Sequence, residues 1–337
     1  MNIRVKTLPS SRRITQLSAF FSILLLAVLF NFVDFSHFAD LPGRIEPFFM
    51  VLCVFFELSH SFFAAWRLRL LDHQERPPGF DEYLYITAWR GLYLIILPVR
   101  LGEVFYVVIL RRCLGMEWGA ALANNIYQRI FDATVLAAIF LISWALLFEV
   151  IDTKPLWLAG ISLFILLLSA MLLFFDRLLG GAVHLLTMLC ERYPKRRLLV
   201  MLLSHLDASV KWSRLMVHKS RPISMLMTSI GMWMGAGLLV WAAFRGVGEM
   251  ITPGQGLFLV SGISFISLIP LQTIGGFGVI DVGLAGLLVM LGWNLETASA
   301  VAIITRLQLL ASQLTGQGLL IFATTLSRRF KASVQRP

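Results

Sequence analysis

The sequence predicts an all-α polytopic membrane protein, and three observations support that fold class. Hydrophobic residues make up 58% of the 337-residue chain, and mean hydropathy is +0.79. Charged residues are only 14%, against roughly 25% in soluble domains. Apolar runs close to the roughly 20 residues that cross a hydrocarbon core recur along the chain. The composition therefore excludes a soluble enzyme domain.

Six apolar runs are predicted to span the membrane. Four have almost no charge, and two begin with a charged turn before the apolar sequence. The first four are 17–33, 47–66, 156–175 and 223–244, and the other two are 127–148 and 298–326. The first run could be a secretory signal, but it is longer than a typical signal core and no small-residue cleavage pattern follows it. We therefore count it as a spanning helix.

The basic residues lie in alternate loops. Of the 29 lysines and arginines, 22 lie in the segments 1–16, 67–83, 111–112, 176–222 and 327–337. The intervening loops contain Arg44, Lys154 and Arg245. This asymmetry follows the positive-inside rule, so both termini are predicted to be cytoplasmic. It also accounts for the net charge of +10 without a nucleic-acid partner.

The chain is predicted to be a single membrane domain over 1–337, with a first half near 17–150 and a second half near 156–326. The basic stretch 176–222 is the only sizeable loop. Its leucines recur at helical spacing around 199–206, which suits an interfacial helix on anionic headgroups. A solvated loop that sets topology is an equal alternative.

Two further apolar segments, 83–110 and 256–291, are interrupted. Proline and glycine mark the interruptions, namely Pro98 and Gly102 in the first and Pro270, Gly275, Gly276 and Gly278 in the second. Both ends of the first segment lie beside cytoplasmic basic residues, so it must enter and return on that side. The second must enter and return from the outer side. The sequence thus predicts two re-entrant hairpins of broken helices with opposite orientations.

The two hairpins have similar surroundings in the sequence. Glu103 lies 26 residues before Arg129, and Asp281 lies 25 residues before Arg306. Interrupted segments at matching positions of two halves indicate an inverted repeat with a transport site between them. Chance similarity of apolar sequence is the alternative.

Charges at membrane depth should mark that site. Irregular backbone at depth is tolerated only inside protein or beside a wet cavity. Each embedded charge costs from about 2.5 kcal/mol upward, so it should be paired or face the cavity. The embedded arginines are Arg90, Arg100, Arg129 and Arg306, and the embedded acids are Glu57, Glu103, Asp132 and Asp281.

Arg100 and Glu103 flank the first break. There a guanidinium can present its planar fork to a phosphate, and unpaired amides add to an anion site. Arg306 and Gln308 are predicted to act similarly beside the second hairpin. The alternative for all of them is internal salt bridging that only holds the hairpins in place.

That alternative is strongest for Arg129 and Asp132, which can pair as i, i+3 neighbours on one helix. Glu57 and His60 have the same spacing and could bind a proton or a metal, although intrahelical pairing is favoured. The three cysteines are scattered, and no metal, cofactor or catalytic motif is predicted. The glycine-rich stretch before Asp281 follows no strand, which argues against a nucleotide site.

These motifs resemble those of a flippase-like family named after the transmembrane region of lysylphosphatidylglycerol synthase. The family has a Pro-x-Arg-x-Gly-Glu stretch, a later Arg-x-x-Asp, and a late proline followed by Gly-x-Gly-x-x-Glu. The matching residues here are Pro98, Arg100, Gly102 and Glu103, then Arg129 and Asp132, then Pro270, Gly276, Gly278 and Asp281. The resemblance spans roughly 15–325.

The chain departs from the family pattern in three places. Asp281 replaces the usual glutamate, Ile280 stands where a basic residue is common, and Gln128 stands where an acid often precedes the arginine. Fused members add a cytosolic aminoacyl-transfer domain. This chain is expected to lack that chemistry because it ends shortly after its last helix.

The resemblance implies a non-enzymatic transporter in the bacterial cytoplasmic (inner) membrane. Its substrate would be a lipid with an anionic headgroup, either an aminoacylated phospholipid or a glycosylated polyprenyl phosphate. One alternative is an accessory subunit that presents lipid to a separate lipid-modifying enzyme. The other is a membrane-embedded glycosyltransferase with Glu103 or Asp281 as base. The pattern sets no oligomeric state.

Overall fold

The computed structural model describes most of the chain between residues 46 and 334. The described residues are 46–72, 74–75, 77–97, 101–147, 160, 167, 175–192, 203, 206, 209–210, 222–267 and 277–334. Every regular element in this part is an α-helix. The helices are α1 (Pro47–Leu70), α2 (Phe80–Ile96), α3 (Leu101–Leu114), α4 (Trp118–Leu146), α5 (Phe175–Arg192), α6 (Pro222–Gly246), α7 (Pro253–Ile266), α8 (Val279–Met290) and α9 (Leu295–Val334).

Four of these helices, α1, α4, α6 and α9, are long and apolar enough to cross a membrane. They confirm the predicted spans 47–66, 127–148, 223–244 and 298–326. The helix α4 begins at Trp118, earlier than predicted, because Asn124, Asn125 and Gln128 interrupt the apolar sequence of its first three turns. The predicted spans 17–33 and 156–175 lie almost entirely outside the described residues. The protein is therefore a multi-pass membrane protein.

The helices α1 and α6 pack closely through two glycines. A Cβ atom on Gly231 would lie 2.8 Å from the Phe63 ring, and one on Gly235 would lie 3.4 Å from the His60 backbone nitrogen. Small residues four apart let helix backbones approach closely in a membrane, where dispersion forces rather than the hydrophobic effect hold helices together. This contact fixes one wall of the site described below.

The helices α2 and α3 form the first hairpin. Tyr83 and Ile86 near the start of α2 pack with Leu110 and Leu114 near the end of α3, so the two helices are antiparallel. Residues 97–100 separate them, and of these the structure describes only Leu97. Pro98 and Arg100 lie outside the described residues.

Gly102 was predicted to be part of the first break, but it lies inside α3. A Cβ atom there would lie 2.9 Å from the Leu94 backbone. The residue is glycine because the two helices of the hairpin nearly touch at this point. Its role is close packing rather than interruption.

The helices α7 and α8 form the second hairpin. Gly262 of α7 faces Leu287, and Gly283 of α8 faces Ile266, so these helices are also antiparallel. Of the predicted break, Pro270, Gly275 and Gly276 lie outside the described residues. Gly278 is described and has φ 87°, a left-handed conformation that glycine adopts without strain. It begins α8.

The basic stretch 176–222 is described mainly over α5. This helix leaves Leu185, Met188 and Leu189 exposed, which suits contact with a membrane surface. The leucines predicted to form an interfacial helix around 199–206 lie mostly outside the described residues.

Candidate functional site

A cavity of about 330 Å³ lies between the long helices and the two hairpins. We call it the central cavity. Its lining includes Leu97 at the end of α2 and Ile280 at the start of α8, so both hairpins reach it at their connecting ends. Its ionisable lining residues are Glu57, His60, Arg67, Arg90, Arg129, Asp132 and Arg306.

The helix α1 presents a polar stripe to this cavity. Glu57, Ser61 and Arg67 line it together with the small residue Ala64, and spacings of three and four residues place all four on one face. Arg67 lies ten residues after Glu57, so their Cα atoms are about 15 Å apart along the axis. The stripe therefore runs through the depth of the cavity.

Arg67 is at the centre of a buried ionic network. The side chain is 0% exposed and forms an ion pair with Asp132, which is 3% exposed. It also donates to Ser229 Oγ at 3.2 Å and to Gln128 Oε1 at 3.3 Å. Removing water from both charges is costly, and only this close pairing with further hydrogen bonds offsets the cost. The network joins α1, α4 and α6.

Gln128 links a second arginine to this network. Its Oε1 accepts from Arg90 Nη1 at 3.3 Å as well as from Arg67, and its Nε2 donates to the Tyr106 hydroxyl at 3.1 Å. The Arg90 guanidinium also lies 4.4 Å from the Tyr106 ring centroid, a favourable cation–π arrangement. The amide oxygen can serve both arginines because it accepts through two lone pairs, while the amide nitrogen remains free to donate to Tyr106.

Glu103 connects the first hairpin to α4. It forms an ion pair with Arg129, and its Oε2 lies 4.0 Å from Arg90 Nη2. The Arg129 side chain is 41% exposed while Glu103 is 19% exposed. Arg129 is thus the most accessible of the three arginines in this network, and an anion entering the cavity would compete with Glu103 for it.

The predicted residues Glu103, Arg129 and Asp132 therefore lie together. Arg129 and Asp132 approach to 4.0 Å as i, i+3 neighbours. Their closer partners are on other helices, because Arg129 pairs with Glu103 and Asp132 with Arg67. The local pair that the sequence offered as an alternative is therefore present, but each residue also has a closer partner on another helix.

Asp281 takes a different role in the second hairpin. It is 1% exposed, and its Oδ2 accepts from the Gly278 amide at 2.7 Å. It thereby caps the N-terminus of α8. Arg306 lines the central cavity and is attracted electrostatically to Asp281. Gln308 lies away from the cavity lining and donates to Cys53 Sγ at 3.6 Å.

Glu57 and His60 were expected to pair with each other, and the structure corrects this. Glu57 accepts from Gln317 of α9, and His60 Nδ1 lies 3.0 Å from the Met232 carbonyl of α6. Both residues line the central cavity. Within the described residues no group of three or more metal-ligating side chains occurs.

Sequence reasoning missed three polar residues of the site. Arg67 was counted as a loop charge because it lies near the end of a span, and its spacing from Glu57 was the available signal. Gln128 and Gln317 are uncharged, so a search for embedded charges passed over them. Gln128 lies four residues before Asp132, whereas no charged residue lies within ten positions of Gln317, so sequence spacing gave little indication of either.

The fold and site define a class: a multi-pass helical membrane protein with an arginine-rich internal cavity reached by two hairpins. The family described as Lysylphosphatidylglycerol synthase TM region matches residues 15–315, and the chain belongs to that family. No curated protein matches the chain. No solved structure matches it either.

Proposed function

We propose that this protein is a lipid transporter that moves a lipid with a phosphate-containing headgroup between the leaflets of the bacterial cytoplasmic membrane. The observation that supports this best is the charge of the central cavity. Among the described residues its lining has four arginines but only two acids. Glu103 and Asp281, which offset Arg129 and Arg306, are not among the lining residues, so the surface that faces the cavity is mainly positive. A cavity of that sign inside a membrane favours an anionic ligand.

The size of the cavity favours a headgroup. A volume of about 330 Å³ is at the low end of small-molecule sites, which run from about 300 to 1,000 Å³. It could hold a phosphate and the group attached to it, while the acyl or prenyl chains remain among the lipid tails. Within a family of lipid-synthase membrane regions, a lipid is the natural ligand.

Arg129 is the first contact that we assign to the phosphate. Its guanidinium is accessible and neutralised by Glu103, so an incoming phosphate would displace one carboxylate and gain a bidentate partner. Arg100, at the first break, would add a second guanidinium. Arg306, held near Asp281, would receive the phosphate deeper in the cavity.

The two hairpins would supply alternating access. Each brings its connecting end to the central cavity, and we propose that they are re-entrant from opposite sides as parts of an inverted repeat. Opposed broken helices around one site are typical of transporters. Rocking of one hairpin would open the cavity to one leaflet, and rocking of the other would open it to the opposite leaflet.

The test is transport in proteoliposomes that contain only this protein. The probes are phosphatidylglycerol, lysyl-phosphatidylglycerol and a glycosylated polyprenyl phosphate, each with a fluorescent chain that a membrane-impermeant quencher can reach only in the outer leaflet. Fluorescent diacylglycerol, which lacks phosphate, is the control lipid. We expect protein-dependent movement of at least one phosphate lipid and none of diacylglycerol beyond its spontaneous rate.

Matched arginine variants locate the site. Arg129→Gln should slow transport by about tenfold or more, the equivalent of roughly 1.4 kcal/mol. Arg111→Gln should not, because Arg111 is an exposed residue stacked on Trp118. Mass spectrometry of lipids that copurify with the protein would identify the native substrate. Tight lipid binding without movement would overturn the transport proposal in favour of an accessory function.

A further inference from the structure

Glu57 is the buried acid that the proposed phosphate site does not use. It is 4% exposed and lies ten residues after the start of α1 and thirteen before its end. A helix rises 1.5 Å per residue, so this position is near the middle of the span. Glu57 therefore lines the central cavity at about the depth of the bilayer centre.

Its partner is a neutral amide. Gln317 Nε2 donates to Glu57 Oε1 and also to Ser61 Oγ at 3.0 Å. By contrast, Asp132 pairs with Arg67 and Glu103 pairs with Arg129. Within the described residues Glu57 forms no ion pair. A carboxylate at this depth without a cation is costly, whereas a carboxylic acid is not.

The same amide can serve the protonated acid. Gln317 is 3% exposed, and its Oε1 is a buried acceptor without a hydrogen-bond partner in the described structure. Rotation of the terminal amide is a soft motion. After this rotation a protonated Glu57 could donate to Gln317 Oε1, whereas the carboxylate form accepts from Gln317 Nε2. The pair of side chains thus satisfies both protonation states without moving either helix.

His60 offers a second proton acceptor one turn along α1. Its Nδ1 lies 3.0 Å from the Met232 carbonyl oxygen. A carbonyl can only accept, so Nδ1 must bear the hydrogen, and Nε2 is then the basic nitrogen. Because His60 lines the same cavity as Glu57, it could pass a proton to or from the acid.

The charges that face Glu57 across the cavity would couple the proton to the anion. They are His60 and Arg67 of α1, Arg90 of α2, Arg129 and Asp132 of α4, and Arg306 of α9, while α6 contributes only uncharged lining residues. The arginines surround Glu57 with positive charge. A phosphate bound among them would cancel part of their field, so proton and phosphate would bind more tightly together than apart.

We infer that Glu57 is a proton-binding site, and that one proton crosses the membrane with each anionic headgroup. This inference rests on the proposed function. The inference adds to the proposed function the identity of the coupled ion and the residue that binds this ion. Glu57 takes up the proton as a carboxylic acid that donates to Gln317 Oε1, and it returns to the carboxylate when the proton leaves.

The first test imposes a pH gradient on the proteoliposomes. One-to-one coupling to a gradient of one pH unit shifts the leaflet ratio of the transported probe by about tenfold, because one unit corresponds to roughly 1.4 kcal/mol. The probe should accumulate in the leaflet that faces the alkaline side. The probes are the fluorescent phosphatidylglycerol and glycosylated polyprenyl phosphate named above, because an anionic lipid with one negative charge moves with one proton without net transfer of charge.

Three variants make this test specific. Glu57→Gln should still exchange probe between leaflets but lose the tenfold shift, since an amide replaces the acid at equal size. Glu57→Asp should keep the shift. Glu46→Gln makes the same chemical change at an exposed position before α1 and should behave as the natural protein. The inference would be overturned if the leaflet ratio did not change with the pH gradient, or if Glu57→Gln retained the tenfold shift.

The second test measures proton binding without transport. Infrared difference spectra of the protein in lipid, recorded as pH is lowered, should contain a protonated-carboxyl band that disappears in Glu57→Gln and persists in Glu46→Gln. If no probe moves in any liposome, the proposed function fails, while this spectrum still decides the proton site. Spectra identical for the natural protein and Glu57→Gln would refute the site even if lipid is transported.

Discussion

The surroundings of the two hairpins show how similar sequence features produce different structures. Near the first hairpin, Glu103 pairs with arginines of two other helices. Near the second, Asp281 caps the helix on which it lies. Each acid follows a proline and glycine break and precedes an arginine at almost equal spacing. The spacing places an acid at the site, but the neighbouring helices decide what that acid binds.

The largest effect should come from breaking the ionic network beside the first hairpin. Arg67→Leu leaves Asp132 buried without its main cation, which typically costs about 3–5 kcal/mol. Arg306→Leu, beside the second hairpin, should cost less, roughly 1–2 kcal/mol, because Asp281 keeps its Gly278 amide. Thermal unfolding in detergent measures both. The double variant Arg67→Leu/Asp132→Leu should recover much of the loss, and equal destabilisation of both single variants would contradict the comparison.

Backbone contact within the hairpins should give the next largest effect. Gly102→Ala places a Cβ atom 2.9 Å from the Leu94 backbone, so the first hairpin must open at a cost of about 1–3 kcal/mol. Gly286→Ala in α8 meets nothing within 4 Å and should be neutral or stabilising by up to about 1 kcal/mol. The same unfolding assay compares them. A stable Gly102→Ala protein would show that the hairpin can separate freely.

A third prediction concerns the chemistry at the first break. Arg100→Lys keeps the charge but loses the planar bidentate contact, so transport should fall by about tenfold, the equivalent of roughly 1.4 kcal/mol, with unfolding unchanged. Arg111→Lys is the matched control on an exposed helix position. Normal transport by Arg100→Lys would assign the break a structural role only.

The smallest perturbation tests the orientation of the hairpins. Single cysteines at Glu75 and Arg112, in a background without native cysteines, should react with an impermeant reagent only from the cytoplasm. Cysteines at Met250 and Asn294 should react only from outside, since these exposed residues lie at the ends of the second hairpin. Stability and transport should not change. If the cysteines that replace Glu75 and Arg112 were labelled from opposite sides of the membrane, the first hairpin would not be re-entrant.

Hydropathy and proline positions were enough to predict much of the fold. The four long helices and both hairpin pairs lie where apolar runs and breaks indicated. These features depend on local composition, which a sequence displays directly. Gly102 was misassigned because glycine serves equally at a break and at a close helix contact, and only the position of Leu94 distinguishes the two.

The partners within the site could not be predicted in the same way. Arg67 meets Asp132 across 65 residues, and Glu57 meets Gln317 across 260 residues. No spacing rule relates residues on different helices. Glu103 and Arg129 were selected correctly as embedded charges, yet their pairing with each other depends on how the first hairpin packs against α4.

The contact between α1 and α6 also limits how this protein can change shape. Phe63 lies over Gly231, and Arg67 donates across the same interface to Ser229. Sliding one helix past the other would drive the ring against larger neighbours and break that hydrogen bond. Shear motion between packed helices is therefore disfavoured here, and we expect a hinge mechanism in which α1 and α6 move as one body. A disulfide or crosslink between these two helices should consequently leave turnover intact.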